Sequence, residues 1–259
     1  MRIRFIFIAW LLTASIAGIT AHAEQRQDAA EPLGVFALGQ SNAGNVGQGP
    51  AIAPANVYEL AWALHRVVPA HDPLFGAYGK GTNVWTRVGA QLVQDHVADS
   101  VVIALVAVGG TRVADWAPGG RLNGPLKQRT TFLVQHHIKI DYITWSQGES
   151  DFTTPAKDYT DNLLRVYATI WNAGIHAPMI VAIETLSRTV LPQIRQAQLD
   201  AIARHKCLIR GPDLDDLTGP TLRYYVGHFT TEAQDIVAKR WVDRIRQVPR
   251  FQCPSPTAP

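Results

Sequence analysis

Leu33-Gly34-Val35-Phe36-Ala37-Leu38 followed by Gly39-Gln40-Ser41-Asn42-Ala43-Gly44 decides the fold. The first six residues are an apolar run, too short for a core helix and closed by glycine, so they read as a strand buried on both faces. The next six are small and polar, and break the strand into a turn that carries a serine. A strand covered on both faces belongs to a parallel sheet sandwiched by helices, and ligands gather beyond the carboxyl ends of such strands.

Working outward, the same pattern recurs. Val101–Val108 is apolar at every position, and Tyr142–Trp145, Met179–Ile183 and Cys207–Ile209 are further short apolar runs. Helical spacing fills the intervals: Val88, Leu92 and Val93 share a face, as do Leu163, Leu164, Tyr167, Ile170 and Trp171, and then Ile194, Gln198 and Ile202. A last helix over Thr230–Arg246 carries Ala233, Ile236, Val237, Trp241 and Ile245, with Thr230 as its N-cap. The expected fold is therefore α/β, a three-layer α/β/α sandwich with a five-stranded parallel sheet. Val57–Ala61 and Leu64–Val68 break the alternation and read as a hairpin leading to a turn at Asp72-Pro73.

The start of the chain reads as a leader. Arg2 and Arg4 precede an apolar run from Phe5 to about Ile19, and Ala21-His22-Ala23 forms a cleavage site. The run is short for a membrane span, which needs roughly 20 residues. Residues 1–23 are expected to be a signal peptide, and 24–259 a single exported domain, periplasmic or extracellular, with no membrane attachment after cleavage. The leader holds two of the 24 basic residues and none of the 21 acidic ones, so the remainder carries a net charge of +1. That balance, without a basic block, excludes a case for nucleic acid. Cys207 and Cys253 are the two cysteines. In an oxidising compartment such a pair reads as one disulfide, the alternative being two buried thiols. No CxxC or HExxH is present, so no metal is expected, and neither a GxGxxG nor a P-loop string suggests a cofactor.

Each polar cluster of interest follows a strand. Gly109-Gly110-Thr111 follows Val101–Val108, and Gln147-Gly148-Glu149-Ser150-Asp151 follows Tyr142–Trp145, while His228 precedes the last helix. All should meet Ser41 at one sheet edge. Acyl transfer needs such parts: a serine nucleophile, a histidine base, and amides that donate to the developing oxyanion.

GQSNAG at Gly39–Gly44, AVGGT at Ala107–Thr111, WSQGESD at Trp145–Asp151 and GHF at Gly227–Phe229 resemble the four blocks of the SGNH (GDSL) hydrolases, whose fold is flavodoxin-like. The nearest likeness is to the sialate O-acetylesterase and carbohydrate esterase family six branch, over about residues 33 to 245. The resemblance implies Ser41 as nucleophile and His228 as base. It implies oxyanion donation from the amides of Ser41 and Gly109 or Gly110 and from the side chain of Gln147. It further implies an acylated, most simply acetylated, carbohydrate as substrate and no cofactor. The other readings are a lipase- or thioesterase-like hydrolase and a degenerate carbohydrate-binding protein. Trp85, Trp116 and Trp145 could offer a sugar a flat apolar face. One departure stands out. The acid usual three residues before the histidine is replaced by Tyr225. Glu149 is the first candidate for its role, then Asp213, Asp215 or Asp216, and otherwise a Ser-His dyad.

Overall fold

The computed structural model describes residues 31–225 and 227–254. The expected signal peptide, residues 1–23, lies outside the described residues. The main sheet contains β1 (Leu33–Gly39), β2 (Val57–Ala61), β3 (Arg66–Pro69), β4 (Val101–Ala107), β5 (Tyr142–Ser146), β6 (Met179–Ile183) and β7 (Leu208–Asp213). Its order is β3-β2-β4-β1-β5-β6-β7. Every neighbouring pair is parallel except β2 with β3. The sheet thus has seven strands rather than five. The hairpin expected to lie apart from the alternation pairs with β4 through Val57–Glu59 and extends the sheet. Its second arm begins at Arg66, because Trp62–Leu64 form a 3₁₀ turn that His65 closes in the left-handed conformation.

Alternation along the strands sorts side chains to two faces. Leu33, Val35 and Ala37 of β1 face α1 (Val84–Gln94), whereas Phe36 and Leu38 face the opposite layer. That opposite layer holds α2 (Val113–Trp116), α3 (Asn123–Gln135), α4 (Ala156–Asn172) and α5 (Pro192–Arg204). The last helix, α6 (Thr231–Gln247), packs beside α1, with Trp85 and Trp241 5.0 Å apart.

Local chemistry explains the helix starts. Asn83 caps α1 by accepting from Trp85 N at 2.8 Å, and Thr230 caps α6 by accepting from Ala233 N at 3.3 Å. Val84, Val88 and Leu92 then bury one stripe, and Ala233, Val237, Trp241 and Ile245 another. The sequence pattern did not mark α3, because only Leu126, Thr130 and Leu133 of it are buried and Val134 is exposed, which leaves no clean stripe. A disulfide joins Cys207, just before β7, to Cys253 in the tail, as expected of the lone pair.

Register positions the loops. Gly39 of β1 pairs with Ala107 of β4 on one side and Ser146 of β5 on the other. The three central strands therefore end level, and the residues immediately beyond them become neighbours.

Candidate active site

Ser41 opens a 3₁₀ turn, Ser41–Ala43, directly after β1. The turn is closed by Ala43 N donating to Gln40 O at 3.0 Å and Gly44 N to Ser41 O at 2.8 Å. Gly39 has no alternative here: a Cβ would stand 2.1 Å from Ser146 O, so only glycine lets β1 lie this close to β5 as it turns. Gly109 and Gly110 follow β4, and Gly110 has φ +70 with open space where its side chain would be. Glu149 follows β5. His228 lies in a small antiparallel ribbon of β8 (Arg223–Tyr224) and β9 (His228–Phe229).

Ser41, Gly109, Gly110, Glu149 and His228 line one cavity of about 360 Å³. Asn42 ties its far walls together. Its Nδ2 donates to Glu149 Oε1 at 3.0 Å and to Gly227 O at 3.3 Å, and its Oδ1 accepts from Phe229 N at 3.3 Å. The residue next to the serine thus holds both the carboxylate and the histidine ribbon. Gly227 lies at φ +109 against the loop after β6, where a Cβ would come 2.6 Å from Ser187 O.

Arg223 supports the ribbon from below. It donates to Leu217 O, Gly227 O and Leu214 O at 2.9, 2.7 and 2.6 Å, and its guanidinium lies 3.8 Å over the Phe229 ring. Its charge also serves two buried glutamates. Glu149 is pushed well above the usual carboxylate range, by burial first and then by the charge of Glu184, while Arg223 and Asn42 pull it back. Glu184, at the end of β6, is likewise raised by burial; its Oε2 accepts from Ser146 Oγ and its Oε1 has no partner among the described residues.

Burial and, second, the positive charge of Arg223 hold His228 below the usual imidazole range. The lowered value favours the neutral ring, the form a general base needs. An activity that needs neutral His228 is retained on acidification until the lowered value is passed. The acidic limb of kcat/KM should therefore fall below about 6.5, the ordinary histidine value. A pH–rate profile from about pH 4 to 8 checks this, and a limb at or above the ordinary value contradicts it. Among the described residues the imidazole makes no hydrogen bond to Ser41 or Glu149, and its ring neighbours are Tyr224 and Tyr225 at 5.6 and 5.8 Å.

Two sequence expectations meet a different geometry. Gln147 does not line the cavity. It is fully buried, and its Nε2 is engaged by Thr111 O at 2.9 Å and Asp151 Oδ2 at 2.5 Å. Buried acceptors beneath the site consume the donor expected to face an oxyanion, so the side chain ties the loop after β4 to the loop after β5. The three aspartates are also turned elsewhere. Asp213 pairs with Arg195, and Asp216 with Arg240 at 2.5 and 2.9 Å. Asp215 accepts from Thr185 N and Leu186 N at 2.7 and 2.9 Å. Glu149 is the one of the four candidate carboxylates that lines the cavity. The tryptophans are core: Trp116 and Trp145 pack edge to face at 5.6 Å, and all three are without exposed surface.

Asn42, Glu184 and Arg223 were given no role from the sequence. Asn42 stood inside the GQSNAG string, but its partners lie 107 and more residues away. Nothing local marks Glu184 or Arg223.

A mostly parallel sheet carries the serine turn on its central strand and the histidine ahead of its last helix, as the sequence resemblance implied. Residues 33–247 match the family described as carbohydrate esterase, sialic acid-specific acetylesterase, and the chain belongs to that family. It is accordingly a carboxylic ester hydrolase of the carbohydrate esterase class. A protein of Arabidopsis thaliana named as a probable carbohydrate esterase is 28% identical over 197 residues, which cover 71% of this chain and 73% of that protein. A solved Arabidopsis thaliana structure superimposes with TM-score 0.65 at 21% identity, over 83% of this chain and 98% of the other. A family 3 carbohydrate esterase of Clostridium thermocellum superimposes with TM-score 0.55 at 11% identity, over 84% and 98%. At those identities the two structures speak to the fold.

Proposed function

We propose that this esterase removes acetyl groups from sugar hydroxyls through an acyl-serine intermediate. The observation that carries the reading is the shared cavity of Ser41, His228, Glu149 and the Gly109–Gly110 turn at the ends of three level strands. Ser41 Oγ attacks the acyl carbon while His228 takes its proton. Backbone amides of Ser41 and of Gly109 or Gly110 donate to the oxyanion. Collapse breaks the bond to the sugar oxygen, which receives the proton from His228. Water then attacks the acyl-serine, gives its proton to His228, and acetate leaves as that proton returns to Ser41 Oγ. Glu149 stabilises the imidazolium formed in each step; the buried carboxylate, short of positive charge before reaction, gains a counter-charge as His228 is protonated.

Cavity size supports a short acyl group. Among the described residues around it, Leu186 is the one aliphatic side chain, which offers a long fatty chain little to bury. The Cys207–Cys253 disulfide supports export of residues 24–259 as one domain after loss of 1–23.

The test is acetate release from a panel of acetylated polysaccharides and acetylated sialic acids, set against esters of long fatty acids. Release of acetate from at least one sugar ester, faster than hydrolysis of the long-chain esters, is the expected result. Preference for long chains would transfer the protein to a lipase- or thioesterase-like role, and binding without turnover would make it a lectin-like relative.

A further inference from the structure

The fold buries the tryptophans that the sequence offered as sugar platforms, yet leaves two other aromatic rings in the open at the cavity. Tyr78 is 60% exposed and Tyr225 is 85% exposed, and both line the same cavity as Ser41 and His228. A third aromatic nearby, Tyr224, is half-buried and donates its hydroxyl to Val46 O.

Tyr78 belongs to the wall formed at the end of β4. Its backbone is pinned there, with Tyr78 N donating to Ala107 O at 2.9 Å and Asn45 N donating to Tyr78 O at 2.7 Å. Its ring lies against Gly109, where a Cβ would stand 3.0 Å from the ring edge. A side chain at 109 would displace it, so this glycine seats the ring. Tyr225 reaches the cavity from another element, the tip of the β8–β9 ribbon, with its ring 5.8 Å from the imidazole and inclined 42° to it.

Tyr225 is also costly where it stands. Its φ is +50, a left-handed conformation that asparagine or glycine adopts with less strain. The ring contributes little to the core, since most of it faces solvent. A bulky aromatic kept in a strained turn, exposed, and beside the base has neither a turn nor a packing reason to be tyrosine.

We propose that Tyr78 and Tyr225 form the two walls of a subsite for the sugar ring of the substrate, an inference that rests on the carbohydrate esterase reading above. A pyranose presents apolar C–H faces that stack on aromatic rings, and hydroxyls that a phenol can meet at its polar tip. The acyl group then points to Ser41 between the oxyanion glycines and the base, while the alcohol portion of the ester lies against the rings. Tyr225 is then a specificity-determining residue.

The experiment compares Tyr78→Ala and Tyr225→Ala with their phenylalanine counterparts on two substrates, an acetylated sugar and a small aryl acetate. Each alanine variant should lower the ratio of kcat/KM for the sugar ester to kcat/KM for the aryl ester by about three- to tenfold, the range for loss of one aromatic contact. The loss should fall in KM, and phenylalanine should restore most of it. Sugar-ester hydrolysis by the unaltered enzyme with the ratio kept in both alanine variants overturns the subsite and leaves the carbohydrate reading standing. Failure of the unaltered enzyme to hydrolyse any sugar ester overturns both together. Thermal melting of the variants separates a folding defect from loss of the subsite, and Tyr225→Gly, which suits the positive φ, provides a variant with relaxed backbone.

Discussion

Replacing Ser41 with alanine should abolish esterase turnover, with a loss of at least about 10⁴-fold, the order expected when a nucleophile that acts as a unit with its base is removed. Nothing else in the cavity can replace it without rebuilding the geometry. The oxyanion amides and His228 are placed around the end of β1, and Ser150 and Ser187, the other cavity serines, stand on the loops after β5 and β6. The fold should be unaffected. Ser41 Oγ makes no hydrogen bond among the described residues, and the turn is held by backbone bonds that alanine keeps. The variant should therefore melt with the parent, and a serine-directed phosphonate that labels the parent at Ser41 should leave the variant unlabelled. An active alanine variant would end the acyl-serine mechanism.

The second large effect should come from Glu149→Gln. The amide keeps the size of the side chain, and its oxygen can still accept from Asn42 Nδ2. What is lost is the negative charge that stabilises imidazolium. A loss of roughly 10⁴-fold in kcat is expected, the size seen when a triad carboxylate becomes an amide. Stability should move the other way or not at all. Burial and Glu184 raise the Glu149 carboxyl, so its ionised form is disfavoured by folding. Linkage follows with a definite sign: the folded state holds this proton more tightly, so stability rises as pH falls through the raised value. The glutamine variant is neutral throughout and lacks that rise. A severe loss of turnover with a melting point equal to or above the parent at neutral pH is the expected signature. Asp213→Asn and Asp216→Asn should remain near full activity, since their partners are Arg195 and Arg240. Asp215→Asn should lower stability, because Asp215 holds the backbone of Thr185 and Leu186. If Glu149→Gln were nearly as active as the parent while one of the aspartate variants was inactive, the orienting role would belong to that loop. Full activity in all four would leave a Ser-His dyad.

Much of the fold is written locally. Val101–Ala107 needs no partner to be read as a doubly covered strand, because seven successive apolar positions, all buried, exclude a solvent face. The same holds for Leu33–Gly39. Thr230 and its apolar stripe announce the last helix. By contrast, α3 buries too few residues to print a period, and the hairpin could be seen as a hairpin but not as an edge of the main sheet. Membership in a sheet is a property of two strands, and Val57–Glu59 find theirs in Val101–Ile103.

The site divides in the same way. The sequence by itself determined where the chemistry-bearing turns stand along the chain: a serine after one buried run, glycines after the next, an acidic loop after the third, a histidine before the last helix. Apolar runs and short polar breaks are local signals, and level strand ends follow once the runs pair in parallel. Tertiary structure alone decided which way each side chain faces. Gln147 is drawn inward because Thr111 O and Asp151, both buried, need a donor. The three aspartates are drawn away by arginines and backbone amides, which leaves Glu149 at the cavity under the hand of Asn42. Trp85, Trp116 and Trp145 are packed in the core, while Tyr78 and Tyr225 are exposed at the cavity. These outcomes depend on partners tens to hundreds of residues distant, and a buried hydrogen bond or ion pair is strong enough to set a rotamer that no local pattern records.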